Sequence, residues 1–433
     1  MKANLLAVML ALVVIVPAGA RPTVSAAGAD QAAAGVPGPV TFSKDVAPIF
    51  QRACQDCHRP GAIAPMSLLT FEEARPWARG IKQKVMAREM PPWFIDRHVG
   101  VRKFKDDPSL TEAEIATITA WVDGGAVRGN LADMPPPRQF ADLEQWNIGE
   151  PDLVITLPKE HTVPAVAPDW WGVYFADSGL KEDRYIQAVE TKPGKGARDV
   201  VHHAITYILD ADQDGAQRSV FLNEYALGKN ADVFPAKAGR IMKAGTKIRF
   251  QMHYHSNGKE TRDRTRVGIK FHPKGYVPKY LQISTTVGDS PEDLDIPAGE
   301  SDVRHDGYFR LEKPTLLVSF QPHMHTRGKS MCVEAILPTM RVQSISCARF
   351  NFGWSLVYNY ADDAAPLLPA GTILHVIGWH DNSPANRINP DSRNWAGYGG
   401  RTLDEMSFAW MNYYYLSDED YQQELELRAR RTN

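Results

Sequence analysis

The residues best equipped for chemistry are a few thiols and imidazoles set at telling intervals. Cys54-Gln55-Asp56-Cys57-His58 places two thiols three residues apart with an imidazole beside the second. At that spacing two sulfurs can bond the vinyl groups of a porphyrin while the ring nitrogen ligates iron from one face, the attachment signature of one c-type haem. A thioredoxin-like pair would need a βαβ setting, whereas the run from Ser43 to Phe50 before the motif reads as helix. The sixth iron ligand should be a soft donor on a loop. Met90, stiffened by Pro91 and Pro92, is the candidate, with Met66 and His98 as competitors. Met66 also reads as a core filler beside Leu68 and Leu69.

Three further clusters have ligand spacing: His202-His203, His253-Tyr254-His255 and His323-Met324-His325. Residues two apart on a strand share a face, so His323 and His325 can converge on one ion. Adjacent residues diverge, so His202 and His203 need a bulge or an edge position to do the same. Imidazoles with a thioether available suit copper; zinc would serve a hydrolase or a structural role but has no redox chemistry to accompany a haem. A metal-free sandwich with hydrogen-bonded histidines is the third reading.

These side chains need a scaffold. Lys2, the apolar run Leu5 to Pro17 and the small residues Ala18-Gly19-Ala20 and Val24-Ser25-Ala26 predict a cleaved signal peptide over 1–26, hence a periplasmic or secreted protein with no stable membrane span in its mature form. Leu69 to Arg88 and Thr111 to Val122 read as amphipathic helices, the second with a capping box from Thr111 to Glu114. Ala132 to Pro137 reads as a linker. Beyond it, short apolar or alternating stretches recur between turns, among them Leu153 to Leu157, Ala204 to Leu209, Thr246 to Tyr254, Thr315 to Phe320 and Thr372 to Gly378, which predicts two antiparallel β-sandwiches. Cys332 and Cys347 flank a hairpin turning near Pro338-Thr339-Met340, so they are expected to form a disulfide or else remain as buried thiols. Across 433 residues, 49 Lys plus Arg against 51 Asp plus Glu remove the basic footprint of a nucleic-acid binder.

The segment from about Thr41 to Gly129 resembles small single-haem cytochrome c domains, a resemblance that favours Met90. From about Pro151 to Leu425 the chain resembles the copper type II, ascorbate-dependent monooxygenases. That resemblance implies two jelly-roll sandwiches with one copper each, facing one another across a cleft. It carries the electron-transfer copper onto His202, His203 and His253, and the oxygen-binding copper onto His323, His325 and Met406, which would be the catalytic residues. Without it Met406 reads as core sulfur near Phe408 or Trp410. His255 and Trp410 are assigned supporting or substrate-contacting places, and His375 and His380 read as supporting or surface histidines.

Gln321 stands where the peptide-processing branch has an arginine for a substrate carboxylate, so a peptide C-terminus is a poor substrate. Ser407 replaces a cysteine usual after the methionine, and with two spare Cys most of that family's disulfides cannot form. The expected organisation is therefore an all-α haem domain (40–130), a linker (131–150) and two all-β jelly-roll domains (151–290 and 291–425). The expected activity is hydroxylation of a C–H bond in a small organic substrate with dioxygen, electrons arriving through the haem, a periplasmic donor or an ascorbate-like reductant. The alternative is a non-catalytic haem and copper electron carrier or copper-binding protein.

Overall fold

The computed structural model describes residues 39–209, 219–229, 231–288 and 293–432. The signal-peptide expectation over 1–26 and the boundary expected at 290/291 lie outside them. Val40 to Asn433 is one compact unit, mostly β-sheet with a few short helices. No helix among the described residues is long and apolar enough to cross a membrane.

The strands of four residues or more are, in chain order, β1 Leu153–Thr156, β2 Trp170–Asp177, β3 Arg184–Lys192, β4 Val201–Leu209, β5 Ser219–Ala226, β6 Ala238–Met242, β7 Lys247–Tyr254, β8 Arg266–Phe271, β9 Ile283–Gly288, β10 Val303–Arg310, β11 Thr315–Met324, β12 Gly328–Ile336, β13 Val342–Arg349, β14 Ile373–His380 and β15 Ser407–Tyr415. They pair antiparallel in four sheets: β1-β8-β3-β6 packs on β2-β7-β4-β5, and β9-β15-β11 packs on β10-β14-β12-β13. Alternation explains each core. Ile186, Ile248, Phe250, Met252 and Val267 close the first pair of sheets, and Leu317, Phe320, Met331, Val333, Leu374 and Met411 close the second. Cys332 lies opposite Cys347 on β12 and β13, and the two form a disulfide. The hairpin turns at Met340, which has φ 62°.

The all-α domain expected in front is not what the chain forms. Helix there is limited to α1 Ala47–Ala53, α2 Phe71–Ala74, α3 Ala78–Met86 and α4 Glu112–Asp123, with a π turn at Phe42–Val46 and 3-10 turns at Arg75–Trp77 and Leu131–Asp133. Capping boxes start α2 at Thr70 and α4 at Thr111, while Pro48 and Pro76 enter as helix starters and Pro91 and Pro92 forbid continuation after α3. Phe42, Phe50, Ile118 and Trp121 gather beneath these helices. The stretch between α3 and α4, however, belongs to the second sheet pair: Phe94 and Ile95 are buried in its core, Ile95 bridges Ala348, and Phe104 bridges Tyr360. Gly100 makes that approach possible, since a Cβ there would sit 2.1 Å from the Ile345 carbonyl oxygen. A segment that lends its middle to a β core is not a self-contained helical domain.

Candidate metal centre

β4 and β7 pair with His203 directly opposite His253, but the register slips between Val201 and His203. His202 is the extra residue of a β-bulge, which is how adjacent histidines are turned toward one point. The ligand-capable nitrogens of His202, His203 and His253 all lie within 4.8 Å of one another, with ring centroids 4.6 to 5.5 Å apart. Asp169, just before β2, accepts from His253 Nε2 and His255 Nδ1, both at 2.9 Å. The exposed His255 thus acts on His253 through a shared carboxylate, and these bonds hold Asp169 below the usual carboxylate range although its burial opposes them. Trp171 stacks on the other face of His253 at 4.3 Å. Tyr254, between the two histidines, points into the core and donates to Asp263 at 2.6 Å.

The second set sits on β11 and the turn after it. His323 stacks on Phe408, its cross-strand neighbour, at 4.7 Å and lies 5.1 Å from Trp410. His325 is fixed at Nδ1 by the Asp404 carbonyl, 3.0 Å away, which leaves Nε2 as its ligand atom. Met324 pairs with Ser407, so continuing that register sets Met406 opposite His325. The two sets are close: Phe352 has its ring centroid 6.2 Å from those of both His202 and His325. Trp410 stacks on Phe221 of β5 at 5.2 Å.

The donor set fits a metal ion. His203 Nδ1 is buried with no hydrogen-bond partner, a cost of the kind an ion would remove. Burial pushes His203 well below the ordinary imidazole range, with His253, His202, His323 and His325 adding to it. Burial likewise lowers His253 and His325, and takes His323 down to about 3. These rings are therefore neutral at pH 7, with lone pairs free.

His375 and His380 are buried rather than on the surface. His375 is held by Asp306 at 2.6 Å and Glu334 at 3.4 Å; His380 contacts His305 Nδ1 at 3.3 Å and the Met406 carbonyl at 3.5 Å, and burial lowers it to about 3. A histidine whose pKa falls on folding contributes stability that is fully present above about 6.5 and is lost as pH drops toward the folded value. Urea unfolding of the metal-free protein is accordingly expected to show stability falling from about pH 6.5 toward pH 3, at up to ~1.4 kcal/mol per pH unit for each such group. A flat profile over that range would mean that His203, His253, His323, His325 and His380 are not buried neutral.

In the Cys54-to-His58 segment, His58 Nδ1 donates to the Met66 carbonyl at 3.2 Å, which leaves Nε2 as its ligand atom. Burial raises both thiols, Cys54 to about 12. Met66 packs against the helical core, Met90 is half-buried at the end of α3's trailing turn, and His98 is exposed.

No family model matches this chain. No curated protein matches it either. Among solved structures it is similar to an allantoicase at 10% identity over 49% of this chain and 75% of that one, with a TM-score of 0.17. An allantoicase from Saccharomyces cerevisiae overlaps at 9% identity over 55% and 84%, with a TM-score of 0.18. An oxalate decarboxylase from Bacillus subtilis gives 6%, 65%, 80% and 0.12. Overlaps this loose carry no argument about function.

Asp169, Glu224, Phe352 and Glu405 have no distinguishing signal in the sequence. Acidic and aromatic residues are common, and only the fold brings Asp169, Phe352 and Glu405 beside histidines and Glu224 beside Gln321.

Proposed function

We propose that the chain is a periplasmic or secreted copper-dependent monooxygenase that hydroxylates a C–H bond of a small organic substrate. The observation that carries this reading is the bulge at His202, which brings three imidazoles together beside a second pair, His323 and His325, on the facing sheet. His202, His203 and His253 would hold one copper; His323, His325 and Met406 would hold the other. Copper at these places supplies one-electron redox chemistry and activation of dioxygen. The protein's part is to keep the imidazoles neutral, to orient His253 through Asp169 and His325 through the Asp404 carbonyl, and to wall both sets with Trp171, Phe352, Phe408 and Trp410. A c-type haem on Cys54, Cys57 and His58, or an ascorbate-like reductant, would supply electrons.

The test is copper and haem quantification with electron paramagnetic resonance, followed by oxygen uptake and a product screen. Two coppers and one haem are expected, with one copper signal altered in Met406→Ala and hydroxylation lost. Cys54→Ser with Cys57→Ser should abolish covalent haem. Met90→Ala should keep the haem attached but remove the sulfur-to-iron absorption band, whereas loss of that band in Met66→Ala would move the ligand there.

The packing of His323 against Phe408 and Trp410 favours a second reading, a copper and haem electron carrier that admits no substrate. Redox-active copper with no product from any C–H substrate would favour it.

A further inference from the structure

Between the two pairs of sheets runs a buried polar knot that neither copper set uses. Glu224 of β5 is 5% exposed. Gln321 of β11 donates to its carboxylate at 2.8 Å, and Ser355 donates to the same oxygen at 3.3 Å, with Gln321 and Ser355 themselves 3.2 Å apart. Both partners are neutral. Lys229, the nearest cation, is paired with Asp232 at 2.9 Å; Tyr207 also faces Glu224, with Arg249 over the Tyr207 ring and hydrogen-bonded to Gln251 and Ser219. A buried carboxyl with neutral partners favours its protonated form, and burial indeed pushes Glu224 above the ordinary range, against Lys229 and the two hydrogen bonds.

The placement is specific. His203 pairs with Ala226, two residues from Glu224 on the same strand face, and Gln321 stands two residues before His323. The acid therefore lies about 7 Å along each strand from the two imidazole sets. Monooxygenation consumes protons: substrate C–H, dioxygen, two electrons and two protons give C–OH and water. A buried acid beside both sets is a resident source for one of those protons.

We propose that Glu224 is the proton-holding residue of this seam and that it supplies, through the Ser355 hydroxyl, one proton to dioxygen as it is reduced. The proposal rests on the monooxygenase reading. Glu224 ends the step as carboxylate and regains its proton from solvent; the second proton comes from solvent; both electrons come from the haem or an ascorbate-like reductant. Without a C–H substrate the same two electrons and two protons reduce dioxygen to hydrogen peroxide, so dioxygen with ascorbate is a sufficient probe.

Infrared spectra of the metal-free full chain at pH 7 should contain a carboxylic C=O component that is lost in Glu224→Gln, beside that of Glu405, whose carboxyl burial pushes up to about 7. In the copper-loaded, haem-containing protein, Glu224→Gln and Ser355→Ala should each slow ascorbate-driven oxygen consumption ~100-fold or more, with copper content unchanged. The wild-type rate should fall as pH rises through the Glu224 pKa, and Glu224→Gln should lack that limb. Ser355→Ala keeps the test open if Glu224→Gln folds poorly. Absence of the infrared band, or wild-type rate and pH profile in both variants, overturns the proposal. Wild-type protein that shows the band and binds copper but consumes no oxygen with ascorbate, alone or with any C–H substrate of the product screen, overturns the monooxygenase reading, and the proton's destination with it.

Discussion

Glu405→Ala is expected to destabilise the protein by ~3–5 kcal/mol, the range for removing one partner of a buried ion pair. Glu405 is fully buried. One carboxylate oxygen accepts from the His325 backbone N–H at 2.9 Å and the other from the Arg327 N–H at 2.7 Å. The Arg327 guanidinium, also buried, lies 3.7 Å away and donates to Asn382 and to the Leu403 carbonyl. Truncation would leave two backbone donors without their acceptor and the cation without its counter-charge. The carboxylate also ties the turn carrying His325 to the segment that delivers Met406, so copper binding at this set should fall with stability. Urea unfolding and copper stoichiometry measure the two effects. Glu405→Gln keeps one acceptor and should cost less, about 1–3 kcal/mol. Equal losses in both variants would show that shape, rather than charge and acceptor count, holds the turn.

Much of this arrangement was legible in the sequence, and the limits are physical. Alternating or apolar stretches between turns marked β1, β4, β7, β11 and β14, the last buried along most of both faces, and the Thr111 to Glu114 spacing marked the start of α4. The need for a bulge or an edge position at His202 and His203 followed from strand geometry alone, and the structure has the bulge. The front segment went wrong for a different reason. Amphipathic helices on either side of the Cys54 to His58 motif suggested a helical unit, but Phe94 and Ile95 are apolar in any setting, and nothing local says that they fill a sheet core 250 residues away. The same holds for Asp169, Glu224 and Glu405, whose importance lies in partners distant in sequence. His375 and His380 were read partly as surface residues because a single imidazole does not disclose whether its partners are water or buried carboxylates.

His203→Leu should invert the order of stability with and without copper. In the metal-free protein, leucine removes a buried nitrogen that has no partner and fills a similar volume, so the variant should be more stable by ~1–2 kcal/mol. Copper reverses this. A ligand at one hundred times its Kd stabilises the wild type by about 2.7 kcal/mol. The variant, having lost one of three imidazoles, should bind copper more weakly by over ~100-fold, beyond the ~10–100-fold typical of a supporting partner. His255→Ala provides that comparison, since His255 reaches the cluster only through Asp169: it should weaken copper within the smaller range and give no gain in metal-free stability. Thermal unfolding of the three proteins, with copper and with a chelator, separates the cases. If His203→Leu is less stable than wild type in chelator, the His203 ring is satisfied without an ion, and the cluster is a packed core feature rather than a metal site.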